Sequence, residues 1–399
     1  MSIHKADILV SGGGIAGLAA AAAFGASGFD VICVDPTPPV TDRDAEGSDL
    51  RSTALLQPAR QILTEVGIWD LLAPFGTPLE VMRIVDAGGE TPEPRVVHDF
   101  RADEISDLPF GWNFPNWLLR RELLNRLDTL RTVTFCPGIG THKLFTRTGA
   151  ARVTLTDGTR VQCKLLIAAD GRHSPMRMQA GIDVRKTSYG QKALAFVVTH
   201  DVPHHHVSTE IHRTGGPFTL VPLPDHDGRA SSAIVWMEDG PRADALYQMD
   251  VPAFEAEMTA RSCNLFGPLK LATRRTIWPI ISQHATRLTS ERLALMAEAA
   301  HVLPPIGAQG LNMSLRDLGH LLELARKHGD ALGEAAMLDA YARARKLDIS
   351  LRMQGINLLN RASQVSAAPL RDARALGLDA LYKLAPVRRS LMQMGLGVR

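Results

Sequence analysis

The sequence predicts an α/β protein: a Rossmann-like dinucleotide-binding domain that carries an inserted, mostly antiparallel β-sheet domain and ends in a helical C-terminal region. Three observations predict it. A strand, glycine turn, helix and second strand open the chain in that order. A middle stretch rich in β-formers is cut by Pro, Gly and Asp. A late turn with two prolines and two glycines, within Arg292 to Asp317, leads into a helix. The nucleotide-binding part is expected in three pieces, residues 1–75, 111–185 and 279–340. The sheet domain is expected over 76–110 and 186–278, and the helical region over 341–399.

The first unit begins with Ala6 to Val10, apolar enough for a buried parallel strand. It runs into Gly12-Gly13-Gly14-Ile15-Ala16-Gly17, a G-x-G-x-x-G pattern, and then an alanine-rich helix to about Ser27. The first glycine permits the tight turn, the second the approach of a pyrophosphate, and the third close helix–strand packing. The second strand, Asp30 to Val34, ends in Asp35, whose carboxylate can accept both ribose hydroxyls of an adenosine. This order of elements points to dinucleotide binding and leaves FAD and NAD both open.

Arg51 precedes a helix from about Gln57 to Val66, and Arg120 sits on one that begins near Asn116. Each arginine is either a phosphate partner or a solvated surface charge. A hairpin through Asp157-Gly158 feeds the buried strand Lys164 to Ala169, which ends in Asp170-Gly171. An acid and a glycine at that end of a parallel strand lie where α/β sheets bind ligands. From Tyr189 to about Trp278 short β-rich segments read as the inserted domain, placed to roof the ligand and shape a cavity. His204-His205-His206 reads as a solvated loop, since three consecutive side chains cannot all face one ion. In the late turn, Pro304 and Pro305 fix an extended path. Gly307 and Gly310 let the backbone approach a ligand, and Leu311-Asn312 open the helix. Such a turn offers N–H groups, backed by the helix dipole, to a group that becomes negative.

A chain of 399 residues, 45% hydrophobic and 22% charged, is long enough for two joined domains. A net charge of +2 gives no reason to propose nucleic acid as a partner. Four scattered cysteines argue for a reducing compartment and against disulfides or a zinc site. The apolar stretch at residues 8–29 contains a glycine cluster where a signal peptide needs its apolar centre. No other run is long enough to span a bilayer. A cytoplasmic protein, able to lie at the membrane periphery, is expected.

Together these residues resemble the single-component flavoprotein aromatic hydroxylases, the family of 4-hydroxybenzoate hydroxylase, and within it the ubiquinone-biosynthesis branch. The shared motifs are Gly12 to Gly17, Arg51, Arg120-x-x-Leu123, Ala169-Asp170-Gly171-x-x-Ser174-x-x-Arg177, and Ala299-Ala300-His301 through Pro304-Pro305-x-Gly307-Ala308-x-Gly310-Leu311-Asn312. The resemblance implies FAD, with Gly12, Gly14, Ala16, Gly17 and Asp35 on its ADP part and Arg51 and Arg120 near the pyrophosphate. It places Asp170 and Gly171 at FAD or NAD(P)H. Glu298 falls at the ribityl chain, and Pro305, Gly307, Gly310, Leu311 and Asn312 at the flavin ring. One departure stands out: the family's Gly-Asp before Ala-Ala-His is Ala297-Glu298 here. A longer acid and an added Cβ there predict looser or displaced FAD.

The implied reaction is insertion of one oxygen atom into a phenolic ring through a flavin C4a-hydroperoxide, with NAD(P)H or another reductant as electron donor. The cofactor carries that chemistry, so no side chain is assigned as acid or base. His301 is read as structural. The segment from Leu376 to Gly397 sets Leu, Tyr and Met beside Lys383, Arg388 and Arg389. It can rest against an anionic membrane or a ubiquinone-synthesis complex, or pack on its own domain. Resemblance to the ends of ubiquinone hydroxylases favours a lipophilic, polyprenylated phenol as substrate. The competing readings are a hydroxylase of small aromatic acids, which needs a buried arginine among Arg213, Arg229 and Arg242, and a non-catalytic subunit of a ubiquinone-synthesis complex.

Overall fold

The computed structural model describes residues 3–88, 91–364, 377 and 379–396. Its first sheet is built on five parallel strands in the order Leu293–Leu295, Arg160–Ala168, Ile3–Ser11, Val31–Asp35 and Val133–Pro137. Side chains alternate across it, as a strand repeat of two requires. Ile8 and Val10 enter one core and Leu9 the other. Against the first face lies the helix Ile15–Ala26, whose residues from Gly17 to Gly25 are all buried. Its small alanines let it sit close to the sheet while the helices Asn116–Asp128 and Gln309–His328 pack beside it. The opposite face is covered by the antiparallel strands Thr141–Arg147 and Ala150–Leu155, the second of which pairs with the start of Arg160–Ala168.

The second sheet has nine strands. Its central path runs His301–Val302, Thr276–Ala285, Val184–His200, Arg229–Asp239, Pro217–His226, Val207–His212, Val81–Asp86 and Val96–Arg101. Every pair on this path is antiparallel except Val207–His212 with Val81–Asp86. The α/β fold with its inserted antiparallel sheet and C-terminal helices is therefore the one expected. Trp236, Phe218 and Phe254 fill the core between this sheet and the helices Gly240–Gln248 and Val251–Arg261. The other face presents Ala193, Met237 and Ile280 to the late turn, where Leu303 and Ile306 pack against them.

Between the two sheets lies a small antiparallel one, Thr77–Leu79, Gly111–Pro115 and Ser52–Leu56. A 29-residue helix, Ala335–Ser363, crosses from the first sheet, where the Tyr341 hydroxyl donates to the Leu295 carbonyl at 2.8 Å, to the second. There Asn360 donates to Gln191 at 3.0 Å. The last described segment braces the edge strand Val96–Arg101. Tyr382 stacks on His98 with ring centroids 4.0 Å apart, and Arg388 pairs with Glu104 at 2.6 Å. Residues 376, 378 and 397 of the segment singled out in the sequence lie outside the described residues. Among the described residues no helix is long and apolar enough to cross a membrane.

Candidate cofactor site

The glycines of the first turn do different work. A Cβ on Gly12 would lie 2.4 Å from the Ala169 carbonyl oxygen, and one on Gly17 would lie 1.9 Å from that of Gly12. Gly12 also has φ +112°, which side-chain-bearing residues rarely adopt. A Cβ on Gly14 would meet nothing within 4 Å. Protein packing thus requires bare backbone at Gly12 and Gly17, whereas at Gly14 the open space is left for something other than the chain. Ile15 and Ala16 begin the helix there, so its unpaired N–H groups face that space. Asp35 lies alongside: one of its oxygens accepts the Gly13 N–H at 2.5 Å and the other the Thr37 N–H at 2.8 Å.

Asp170 and Gly171 follow the strand Arg160–Ala168 and sit next to this turn. One Asp170 oxygen accepts the Met176 N–H at 3.1 Å; the other is buried with no partner. Burial pushes this carboxyl above its usual range. The rest of the motif is structural. Ser174 caps the helix Pro175–Gln179 by accepting the Arg177 N–H, and the buried Arg177 guanidinium donates to the Ala299 carbonyl at 2.9 Å.

The late turn lies beside the first. Leu311 and Leu315 of one helix and Ile15 and Ala19 of the other line the same small cavity. The two helix N-termini therefore stand side by side although nearly three hundred residues separate them. Pro305, Gly307 and Gly310 are exposed on the turn, Gly307 at φ +63°, and Leu311 is the third residue of the helix, so its N–H has no partner within it. The Asn312 side chain is buried. Its oxygen accepts the Leu56 N–H at 2.8 Å, and its amide donates to the Ala54 carbonyl at 2.7 Å. It thereby fixes the turn against the strand Ser52–Leu56.

The other end of that strand carries Arg51. Its guanidinium forms two hydrogen bonds to Asp49, at 2.8 and 2.7 Å, and lies 5.5 Å from the Trp278 ring centre. Arg120 reaches the same Asp49 at 3.4 Å, and Asn116 donates to it at 3.0 Å. The structure therefore brings Arg51 and Arg120 together through an acid that sequence reasoning passed over, although the Asp49-x-Arg51 spacing was there to read.

Glu298 is half-exposed and pairs with Arg172 at 3.3 Å. Ala297 has φ +56°, a left-handed conformation that disfavours a Cβ. Its N–H donates at 3.2 Å to Asp317, which also takes His301 at 2.6 Å and Arg345 at 2.7 Å. All three side chains are essentially sealed from solvent. Burial alone would raise the Asp317 carboxyl, but His301 and Arg345 outweigh it and hold it below the usual range. His301 thus has a structural partner. Asp317 and Arg345 gave no local signal, because the network closes over 16 and 28 positions.

The FAD binding domain family matches residues 5–353. Ubiquinone hydroxylase UbiL of Rhodospirillum rubrum is 32% identical over 395 residues, covering 98% of this chain and 90% of that protein. The chain belongs to the flavoprotein aromatic hydroxylases, ubiquinone-biosynthesis branch. Another relative, the Escherichia coli 3-demethoxyubiquinol 3-hydroxylase, is 27% identical with full coverage of both chains. Among solved structures, p-nitrophenol 4-monooxygenase PnpA of Pseudomonas putida matches with a TM-score of 0.80 at 17% identity over the whole of both chains, a likeness of fold.

The family's cofactor is FAD, and the residues present fit it. Open space at Gly14 suits a pyrophosphate, the unpartnered Asp170 oxygen suits a cofactor hydroxyl, and the Leu311 N–H suits an anionic ring edge. When bound, FAD supplies the oxygen-activating chemistry of this hydroxylase family. The chain supplies position, charge and exclusion of water.

Proposed function

We propose that this protein is an FAD-dependent monooxygenase that hydroxylates a polyprenylated phenol in ubiquinone biosynthesis. The observation that carries the substrate class is the surface opposite the late turn. Leu303 and Ile306 pack against Ala193, Val235, Met237, Trp278 and Ile280 of the nine-stranded sheet, an apolar wall beside the turn that suits a ring with a hydrocarbon tail. A small aromatic acid would instead need a cation at this wall that no carboxylate already holds; Arg51, 5.5 Å from the Trp278 ring centre, is held by Asp49. Arg229 pairs with Asp201 and Arg242 with Glu257, both half-exposed on the surface. Leu303 and Ile306 would shield the reacting ring from water, and Pro305 would flank it through its backbone.

The names of the relatives support the ubiquinone pathway for this chain. For the electron donor, NAD(P)H and a protein reductant remain the two candidates. Membrane contact is supported by the apolar residues that two helices leave in solvent. Val387, Leu391 and Met394 follow a helical spacing along the last helix, Ala385–Leu396, with Leu384 just before it, and Leu347, Leu351 and Leu358 do so along Ala335–Ser363. Lys383 and Arg389 flank the first row, so an anionic bilayer is the matching surface.

The test is turnover of the FAD-loaded protein with NADPH, O₂ and a 2-prenylphenol, followed by product mass. A product one oxygen heavier is expected, with benzoates inert. Rapid turnover of benzoates alone would overturn the substrate class. Failure to take up FAD at all would favour the non-catalytic subunit. Sedimentation with phosphatidylglycerol vesicles, lost in Leu391→Asp, tests the membrane contact.

A further inference from the structure

We infer that Asp49 is a built-in anion that occupies the phosphate-binding arginines until the cofactor's pyrophosphate replaces it. This rests on the FAD reading above. Asp49 is 11% exposed and accepts twice from the Arg51 guanidinium, once from the Arg51 N–H, and from Asn116 and Arg120. Burial would raise its carboxyl, yet these bonds and the two guanidinium charges hold it below its usual range. Its negative charge is therefore permanent at neutral pH and poorly screened by water.

Geometry sets the cluster at the cofactor. The Asn116 N–H donates to the Arg51 carbonyl at 2.8 Å, which ties both arginine-bearing segments to one point. Leu119 and Leu123, on the same helix as Arg120, share a cavity with Ile15 and Leu311 of the two helix N-termini. From Arg51 the strand Ser52–Leu56 leads directly to Asn312. Two guanidiniums face the Asp49 carboxylate, with Glu298 acting on Arg51 from further off, and the helix that carries Arg120 packs on the one that starts at the open space of Gly14. A diphosphate entering that space gains both guanidiniums but meets the charge of Asp49 at close range. In the unliganded chain Asp49 keeps the arginines ordered and paired. On loading they turn to the stronger anion.

The experiment titrates apoprotein with FAD at several salt concentrations and, separately, with riboflavin, which carries no phosphate. Asp49→Asn should bind FAD about tenfold more tightly and with steeper salt dependence, while riboflavin affinity stays unchanged. Inorganic pyrophosphate should compete with FAD but not with riboflavin on the wild-type protein, a reading that needs no folded variant. Unchanged or weaker FAD binding in Asp49→Asn would overturn the inference, as would equal changes for FAD and riboflavin, or pyrophosphate without effect. A wild-type protein that takes up riboflavin and FAD equally would also sink it. One that binds no flavin would sink the cofactor reading first.

Discussion

The Ala297 N–H donates to the carboxylate of Asp317 at 3.2 Å, so a left-handed residue in the cofactor loop is held by a fully buried acid. That acid also binds His301 and Arg345, from a strand and from the long helix. The loop is thus pinned from three directions, and the pin is electrostatic.

Removing its charge should be costly. Asp317→Asn leaves the buried Arg345 with Asp348, at 2.6 Å, as its one remaining carboxylate partner among the described residues and removes the charge that holds His301, a loss of about 3 kcal/mol. The pH sign follows from the lowered carboxyl. The network's contribution is fully present above the unfolded value near 3.8 and is lost as pH falls through the lower folded one. Urea unfolding from pH 7 to pH 3 should show wild-type stability falling more steeply than that of the variant below about pH 4. Parallel curves would show that Asp317 does not carry this charge.

Ala297 should respond in the opposite direction. Its φ of +56° strains a residue with a Cβ, and Ala297→Gly should add roughly 1 kcal/mol to apoprotein stability. Combined with Glu298→Asp, it should also tighten FAD. Fluorescence titration checks the second effect; unchanged affinity would mean that this departure from the family pattern is silent.

Two glycines of one turn should separate ligand binding from folding. Gly17→Ala drives a methyl into the Gly12 carbonyl and should fail to yield folded protein. Gly14→Ala meets no chain atom, so its melting curve without flavin should match the wild type while FAD affinity drops at least tenfold. Equal damage from both would contradict the division of roles.

Asp170 carries an unpartnered, buried oxygen, and burial raises its carboxyl. The raised value means that ionisation costs the empty fold stability as pH rises through it. Asp170→Asn should leave the apoprotein as stable or about 1 kcal/mol more stable at pH 7, yet weaken FAD binding. A variant that is less stable and binds FAD normally would show the acid to be purely structural.

Much of this arrangement was legible in the sequence because its signals are local. The strand, glycine turn and helix at residues 3–26 follow from a run of apolar residues and three glycines at fixed spacing. The turn at Pro304 to Gly310 is marked by residues whose backbone restrictions are intrinsic. Harder to see were contacts that depend on where the chain returns. Nothing near Asp317 announces Arg345, and nothing near Asn312 announces Leu56, 256 positions away. Asp49 is intermediate: its pairing with Arg51 is local, but its meaning depends on Arg120, which only the fold brings near.

Gln309, the first residue of the late helix, donates both to the Gly307 carbonyl within its own turn and to the Gly395 carbonyl 86 positions later. Arg352 holds the oxygen of the same side chain at 2.8 Å. The late turn is thus stapled through one side chain by two helices far along the chain, so a substitution at Arg352 or within Ala385–Leu396 reaches the cofactor turn from a distance.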